Sequence, residues 1–353
     1  MAKASPTGPS EVVLAARAAR LYFLEDRSKV EIAGLLDISR FRVARLLDTA
    51  RALGLVRIEI GLPGILDAAL SAELASAFGL RHAFVYNFPD DSDSSLRHRL
   101  GEAAGEAIAD LATAADVVGI AWSRSLSGLA RGLTSFPPCP IVQMTGALSR
   151  PGDGDLLDVV RAITRIGGGP SYGFYAPMIV DDAGTAQAIR RHPDVAAATA
   201  MLGSITIGMV GIGSWLPGLS SIYDSLAQPD RDAVSAAGVR AEVSGVFLGE
   251  DGDPRQTPLD ERMIVTPGSL LAQLPTVLAV AYGTAKSHAV WSALNGGVVN
   301  GLITHASLAR AVLAIPGASP AARHSTAKRR PAVGRPAAER PPPRPAAAAP
   351  RSD

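Results

Sequence analysis

Residues 28–60, SKVEIAGLLDISRFRVARLLDTARALGLVRIEI, constrain the chain more than any other segment. Lys29 to Leu36 carries Ile32, Leu35 and Leu36 at helical spacing, so one face is apolar. Asp37-Ile38-Ser39 interrupts it. Ser39 then stands where an N-cap belongs, and Val43, Leu46, Leu47 and Leu53 line one side of a second helix. The other side shows Arg40, Arg42, Arg45 and Arg51. A helix that is apolar behind and arginine-rich in front can seat in a small core while entering a DNA major groove. Gly54 ends the helix, and Val56 to Ile60 alternates as a wing strand. The competing reading is a solvated helical hairpin. Against it stand the small Ala33 at the helix crossing, the length of the corner, and a further helix from Val12 to Leu24 with Val13, Leu14, Leu21 and Leu24 apolar. The corner needs a left-handed backbone at Asp37, which Asp tolerates better than most residues. The expected DNA-contacting set is Lys29, Ser39, Arg40, Phe41, Arg42 and Arg45.

At 353 residues the chain has room for two domains. Its net charge of +1 hides an asymmetry: residues 1–60 hold ten Lys/Arg and seven Asp/Glu, and residues 61–315 hold sixteen and twenty-four. A basic head on an acidic body suits a module that engages DNA at one end. The single cysteine, Cys139, forms no internal disulfide, no apolar stretch reaches membrane-span length, and no signal-like run opens the chain. A cytoplasmic protein is expected. Gly61-Leu62-Pro63-Gly64 reads as a hinge, and the Ala/Pro/Arg-rich residues 316–353 as a disordered tail. The domains are therefore expected at 1–60, 65–315 and 316–353.

Between hinge and tail, apolar runs alternate with helical stretches. Strands are expected at 83–86, 116–120, 141–144, 175–180, 205–212 and 277–281. Helices are expected at 66–78, 96–114, 126–133, 156–166, 185–191, 286–294 and 305–313. That alternation predicts an α/β domain on a mainly parallel sheet. In such sheets, ligands sit beyond the carboxyl ends of strands. One strand leads into Trp122-Ser123-Arg124-Ser125 and then a helix start, where two hydroxyls, a guanidinium and backbone N–H groups suit an anion. Another places Gln143 and Thr145 near a strand end. Lys286 stands at a helix start, where the macrodipole disfavours a cation unless an anion is also present.

These segments together resemble the SorC-type (DeoR-like) sugar-binding transcriptional regulators. The resemblance runs from about Leu14 to Leu313 and is carried by IAGLLDISRFRVARLL, GIAWSRSL, VQMTGAL, VGIGSW, AEVSGVFLGEDGDP and VLAVAYGTAKSHAVWSALNGGVVNGLITHASLARAVL. It implies an N-terminal winged helix-turn-helix and a larger Rossmann-like α/β effector domain resembling phosphosugar isomerases and deaminases. It also implies self-association as a dimer or tetramer, and a sugar, polyol or sugar-phosphate effector that controls binding to operator DNA. By the same resemblance, Trp122, Ser123, Arg124, Ser125 and Lys286 hold the phosphate or polar end of the sugar, and Gln143 and Thr145 face it. Glu242 falls where the family usually has an aspartate that accepts sugar hydroxyls. The chain departs from the family pattern at Ser123, where glycine is usual, at Ser125, where threonine is common, and at His305, where aspartate is frequent.

A sugar-phosphate isomerase or deaminase with an accessory DNA-binding head is the alternative. It needs a positioned general base. Glu242 could serve, but none of the six histidines falls in a recognisable ligand loop, and no metal-ligand spacing occurs. The residues point to a binding site without catalysis, cofactor or metal.

Overall fold

The computed structural model describes residues 9–56, 65–88, 92–148 and 156–317. The chain divides into two compact units, Met1–Pro63 and Gly64–Asp353.

The first unit is three helices: α1 (Pro9–Phe23), α2 (Lys29–Leu36) and α3 (Arg40–Ala52). Ser28 caps α2 reciprocally: its hydroxyl accepts from Glu31 N, and the Glu31 carboxylate accepts from Ser28 N at 2.9 Å. That arrangement satisfies two donors a helix start leaves open. Asp37 ends α2 in the left-handed region, at φ 52° and ψ 48°, as the corner requires. Ser39 then caps α3 by accepting from Arg42 N at 3.2 Å. Ala15, Ala18, Ala19, Ile32, Val43, Leu46, Leu47 and Ala50 form the core. Small alanines let α1 lie close against α3. Val13, Leu24, Leu35 and Leu53, expected on apolar faces, are exposed instead; the alanines of α1 take the buried stripe, and that narrow core leaves these larger side chains outside. Of the expected wing strand only Val56 lies within the described residues.

The second unit is one sheet with helices on both faces. Its strands are β1 (Ile65–Leu66), β2 (His82–Asn87), β3 (Val118–Ile120), β4 (Ile141–Gln143), β5 (Ser171–Tyr172), β6 (Ile207–Ser214), β7 (Ala241–Val243), β8 (Val246–Leu248), β9 (Thr276–Val280) and β10 (Gly301–His305). Their order is β1-β2-β10-β9-β6-β3-β4-β5, with the β7–β8 hairpin paired to β6. From β2 to β5 the pairing is parallel, and β1 and the hairpin are antiparallel. Alternate residues feed opposite cores, as a pleated strand requires. Met209, Leu278, Val280 and Ile303 join the helices at 93–111 and 156–167. Val210, Ala279, Ala281 and Leu302 join those at 68–78, 287–295 and 306–313. β6 is buried at all eight positions, which is why it reads as a continuous apolar and glycine run.

Two expected elements do not form. Residues 175–180 make only isolated bridges, at Pro177 and Ile179. Residues 126–133 lie in two short 3₁₀ turns; Gly132 there packs so tightly on the 93–111 helix that a side chain would strike the Glu102 backbone. His305 closes β10 and is at the same time the N-cap residue of the last helix. Among the described residues no helix is long and apolar enough to cross a membrane. The expected hinge at 61–64 and the tail from 318 lie outside the described residues.

The hairpin is anchored by aromatic packing: Trp215 meets Tyr223 and Phe247 edge-on, both at 5.3 Å between ring centroids. Phe247 is only 2% exposed. Phe247→Ala should therefore destabilise the protein by about 3–5 kcal/mol in urea denaturation, and a loss below about 1 kcal/mol would show that the hairpin is not held this way.

Candidate functional site

The chain visits β3, β4 and β5 in one direction across the sheet, then returns to β6 and proceeds through β9 and β10 in the other. The order reverses between β3 and β6, and a crevice opens beyond their carboxyl ends, the place where open α/β sheets bind ligands. A small pocket lies there, with about 30 Å³ open to the centre of a water molecule.

Glycines at the end of β6 bring the walls together. A side chain at Gly211 would collide with the Ser123 hydroxyl, and one at Gly213 with the Glu242 carboxylate. Ser123 caps the turn after β3 by accepting from Ser125 N at 3.2 Å. Glu242, on β7 opposite Gly213, accepts from Ser220 Oγ at 3.1 Å and Gly245 N at 3.2 Å. The hairpin turn places Ser244 at φ 48° and Gly245 at φ 92°, and Ser244 Oγ accepts from Gly211 N at 3.2 Å. Lys286 enters from the turn after β9. It is 7% exposed, donates to Ile212 O at 3.1 Å, and sits 5.0 Å from the Tyr282 ring centroid.

Burial dominates the electrostatics. It lowers the Lys286 pKa to about 8 against an opposing effect from the Glu242 charge. It raises the Glu242 pKa, while the Gly245 and Ser220 hydrogen bonds and the nearby Lys286 and Arg124 charges pull the other way. An ammonium, a guanidinium, a carboxylate and several serine hydroxyls thus face one small polar space. Such a set can hold an anion at one end and hydroxyl groups along its length.

Six of the eight expected ligand residues, Trp122, Ser123, Arg124, Ser125, Glu242 and Lys286, line this pocket. Gln143 and Thr145 do not. The Gln143 amide donates to Thr145 O at 2.9 Å and accepts from Phe174 N at 3.1 Å, while Thr145 Oγ1 accepts from Trp122 N at 2.9 Å. Both side chains are spent on backbone, Thr145 on the loop after β3 and Gln143 on the segments at Thr145 and Phe174. The sequence reading missed Ser220, Ser244 and Tyr282. Ser244 was within reach: AEVSGVFL, two short β-prone runs about a Ser-Gly pair, carries a hairpin signal.

In the other unit, Ser39, Arg40, Phe41, Arg42 and Arg45 are all exposed on the first turns of α3. Phe41 is 82% exposed. Lys29 is half-buried at the start of α2, its ammonium 5.8 Å from the Tyr22 ring centroid.

The Sugar-bind family model, described as "Putative sugar-binding domain", matches residues 65–314. The chain belongs to this family, that of the SorC/DeoR-like sugar-binding transcriptional regulators. It is 26% identical over 306 residues to "Uncharacterized transcriptional regulator YjhU" of Escherichia coli K12, covering 83% of this chain and 92% of the relative. It is 27% identical over 317 residues to "Transcriptional regulator LsrR" of Klebsiella pneumoniae, covering 87% and 94%. Among solved structures, the full-length sorbitol operon regulator SorC from Klebsiella pneumoniae superposes with a TM-score of 0.62 at 21% identity, over 86% of this chain and 99% of that one. A domain of a "possible sugar-binding transcriptional regulator" from Arthrobacter aurescens TC1 gives 0.62 at 24% identity, over 69% and 96%. These structures share the fold: a helical N-terminal region and a larger α/β domain for the full-length SorC.

The depressed lysine has a measurable consequence. Between the folded pKa of about 8 and the ordinary lysine value of 10.5, the unfolded chain holds a proton that the folded chain has released. Stability of the effector-free protein should therefore rise with pH above about 8. Lys286→Met should flatten that rise. Urea denaturation between about pH 7 and pH 9.5 checks this; the same slope in both proteins would refute it.

Proposed function

We propose that this chain is a cytoplasmic transcriptional regulator that binds operator DNA through α3 and takes a sugar, polyol or sugar-phosphate effector at the β3–β6 crevice. The observation that carries the effector half is Lys286: a buried ammonium bonded to a backbone carbonyl, facing Glu242 and serine hydroxyls across a polar pocket. An anionic group supplies the charge that such a cation lacks, and the hydroxyls and carboxylate suit a polyhydroxylated body.

The DNA half rests on α2, the Asp37 corner and α3, read as a winged helix-turn-helix with α3 as recognition helix. Its capped start presents Arg40, Phe41, Arg42 and Arg45 to solvent, over a core that holds the helix rigid. The larger unit is read as a Rossmann-like domain of the phosphosugar isomerase and deaminase type, supported by its parallel sheet and switch point. The relatives are named as transcriptional regulators, one of a sorbitol operon.

The site is read as binding without turnover. Both Glu242 oxygens already accept hydrogen bonds, which favours a positioning role over proton abstraction. The chain is further read as a dimer or tetramer, because one recognition helix reads few base pairs and paired heads multiply affinity and specificity. Control then requires that the effector bind two arrangements of the chain unequally. A coupling of about 1–3 kcal/mol shifts DNA affinity by about 5- to 150-fold.

An operator selected from random duplexes should be bound by two or more chains per site. The triple variant Arg40→Ala, Arg42→Ala, Arg45→Ala should lose affinity at about 1–3 kcal/mol per base-edge contact. Unchanged affinity in gel-shift titration would sink the assignment of α3.

For the effector, operator binding is titrated with the sugar, polyol or sugar phosphate that most raises the melting temperature. Lys286→Ala should abolish the response, and Glu242→Ala should weaken it. A full response in both variants would place the effector site elsewhere, and conversion of the sugar by the wild type would restore the enzyme reading.

A further inference from the structure

Beside the pocket lies a second, open cavity, with about 450 Å³ open to the centre of a water molecule, lined by Asp93, Arg97, Arg124 and the turn from Tyr282 to Lys286. Arg124, Leu219, Tyr282 and Lys286 line both spaces, so the two adjoin along one cleft wall. Arg97 comes from the helix Asp93–Leu111 and is half-buried. Its Nε is buried with no hydrogen-bond partner among the described residues. The Arg124 guanidinium donates to Gly218 O at 3.3 Å.

Three cations therefore border the cleft against two carboxylates. One of these, Glu242, faces the inner space with both oxygens engaged. Asp93 is exposed and lies a helical turn before Arg97. A buried donor without an acceptor is destabilising, and such a group calls for a specific reason. Two guanidiniums in one cavity wall are suited to a planar or tetrahedral oxyanion, which takes their N–H groups in pairs where an ammonium offers only a point charge.

We propose that Arg97 and Arg124 form a second anion subsite, so that the effector carries two anionic groups, one held at Lys286 and one at the Arg97 end. This rests on the sugar-effector reading above and narrows it to doubly anionic compounds: a sugar bisphosphate or a phosphorylated sugar acid. The first would place a second phosphate against the arginines, the second a carboxylate.

Calorimetric titration of the full chain and of Arg97→Gln tests this with glucose 6-phosphate, glucose 1,6-bisphosphate, 6-phosphogluconate and inorganic pyrophosphate. The wild type should bind one doubly anionic sugar at least about tenfold more tightly than glucose 6-phosphate, the scale of one charge-assisted pair. Whichever of the two it prefers identifies the second anion as phosphate or carboxylate. In Arg97→Gln that ratio should fall to about one. A ratio near one in the wild type, or one that survives the substitution, overturns the subsite. The ligand-free variant should melt at or above the wild-type temperature, because it removes repulsion among cations; a fall of several degrees would make Arg97 a structural residue and overturn the proposal. Pyrophosphate separates the two readings, since its binding does not depend on sugar stereochemistry. If it binds with Arg97 dependence while every sugar fails, the subsite stands and the sugar reading falls. If it too fails, the subsite falls.

Discussion

The carboxyl end of β6 is the point on which the effector unit is built. The strand is buried along its length between β3 and β9, and it ends in Gly211-Ile212-Gly213. Because two of those residues have no side chain, Ser123 approaches from the β3 side and Glu242 from the hairpin. Between them the Ile212 carbonyl accepts from Lys286. Three segments distant in sequence meet on one stretch of bare backbone. A methyl group at either glycine would push a polar wall outward and open the pocket.

The same close approach sets the electrostatics. Withdrawing a carboxylate and an ammonium from water disfavours both charges, and their mutual attraction offsets this only in part. The hydrogen bonds around Glu242 show how the fold compensates, with a serine hydroxyl and a turn N–H directed at its two oxygens. The remaining imbalance falls on the cations. Lys286 has a carbonyl and an aromatic face, and Arg97 has a buried N–H with no acceptor among the described residues.

The helical unit solves a different problem. Its core is small and alanine-rich, so caps and a tight corner contribute much of its definition. The Ser28–Glu31 box, the left-handed Asp37 and the Ser39 cap fix where each helix begins and ends. The arginine face of α3 is consequently presented on a helix whose start is held by hydrogen bonds. The exposed Phe41 stands among charges on that face.

Much of this was legible in sequence where the signal is local. Helix caps, the arginine face and the alternation of strands and helices depend on residues a few positions apart, so periodicity and capping chemistry reveal them. The loop at Trp122 to Ser125, Glu242 and Lys286 could be singled out by residue type and by family resemblance. Tertiary structure decided the rest. Gln143 and Thr145 sit at a strand end and look like ligand residues, yet the nearest unsatisfied groups are the backbone of Trp122 and Phe174, and their polar atoms go there. The run at 175–180 has strand composition but no partner strand along its length, and pairing is not written in a single segment. Arg97 reads as one more charge on an amphipathic helix; only the fold places it beside Arg124 and Lys286. The sequence by itself determined most of the helices and strands and which side chains could carry charge. Which of those charges would be buried together followed from the order of strands in the sheet, because burial is a property of neighbours remote in sequence.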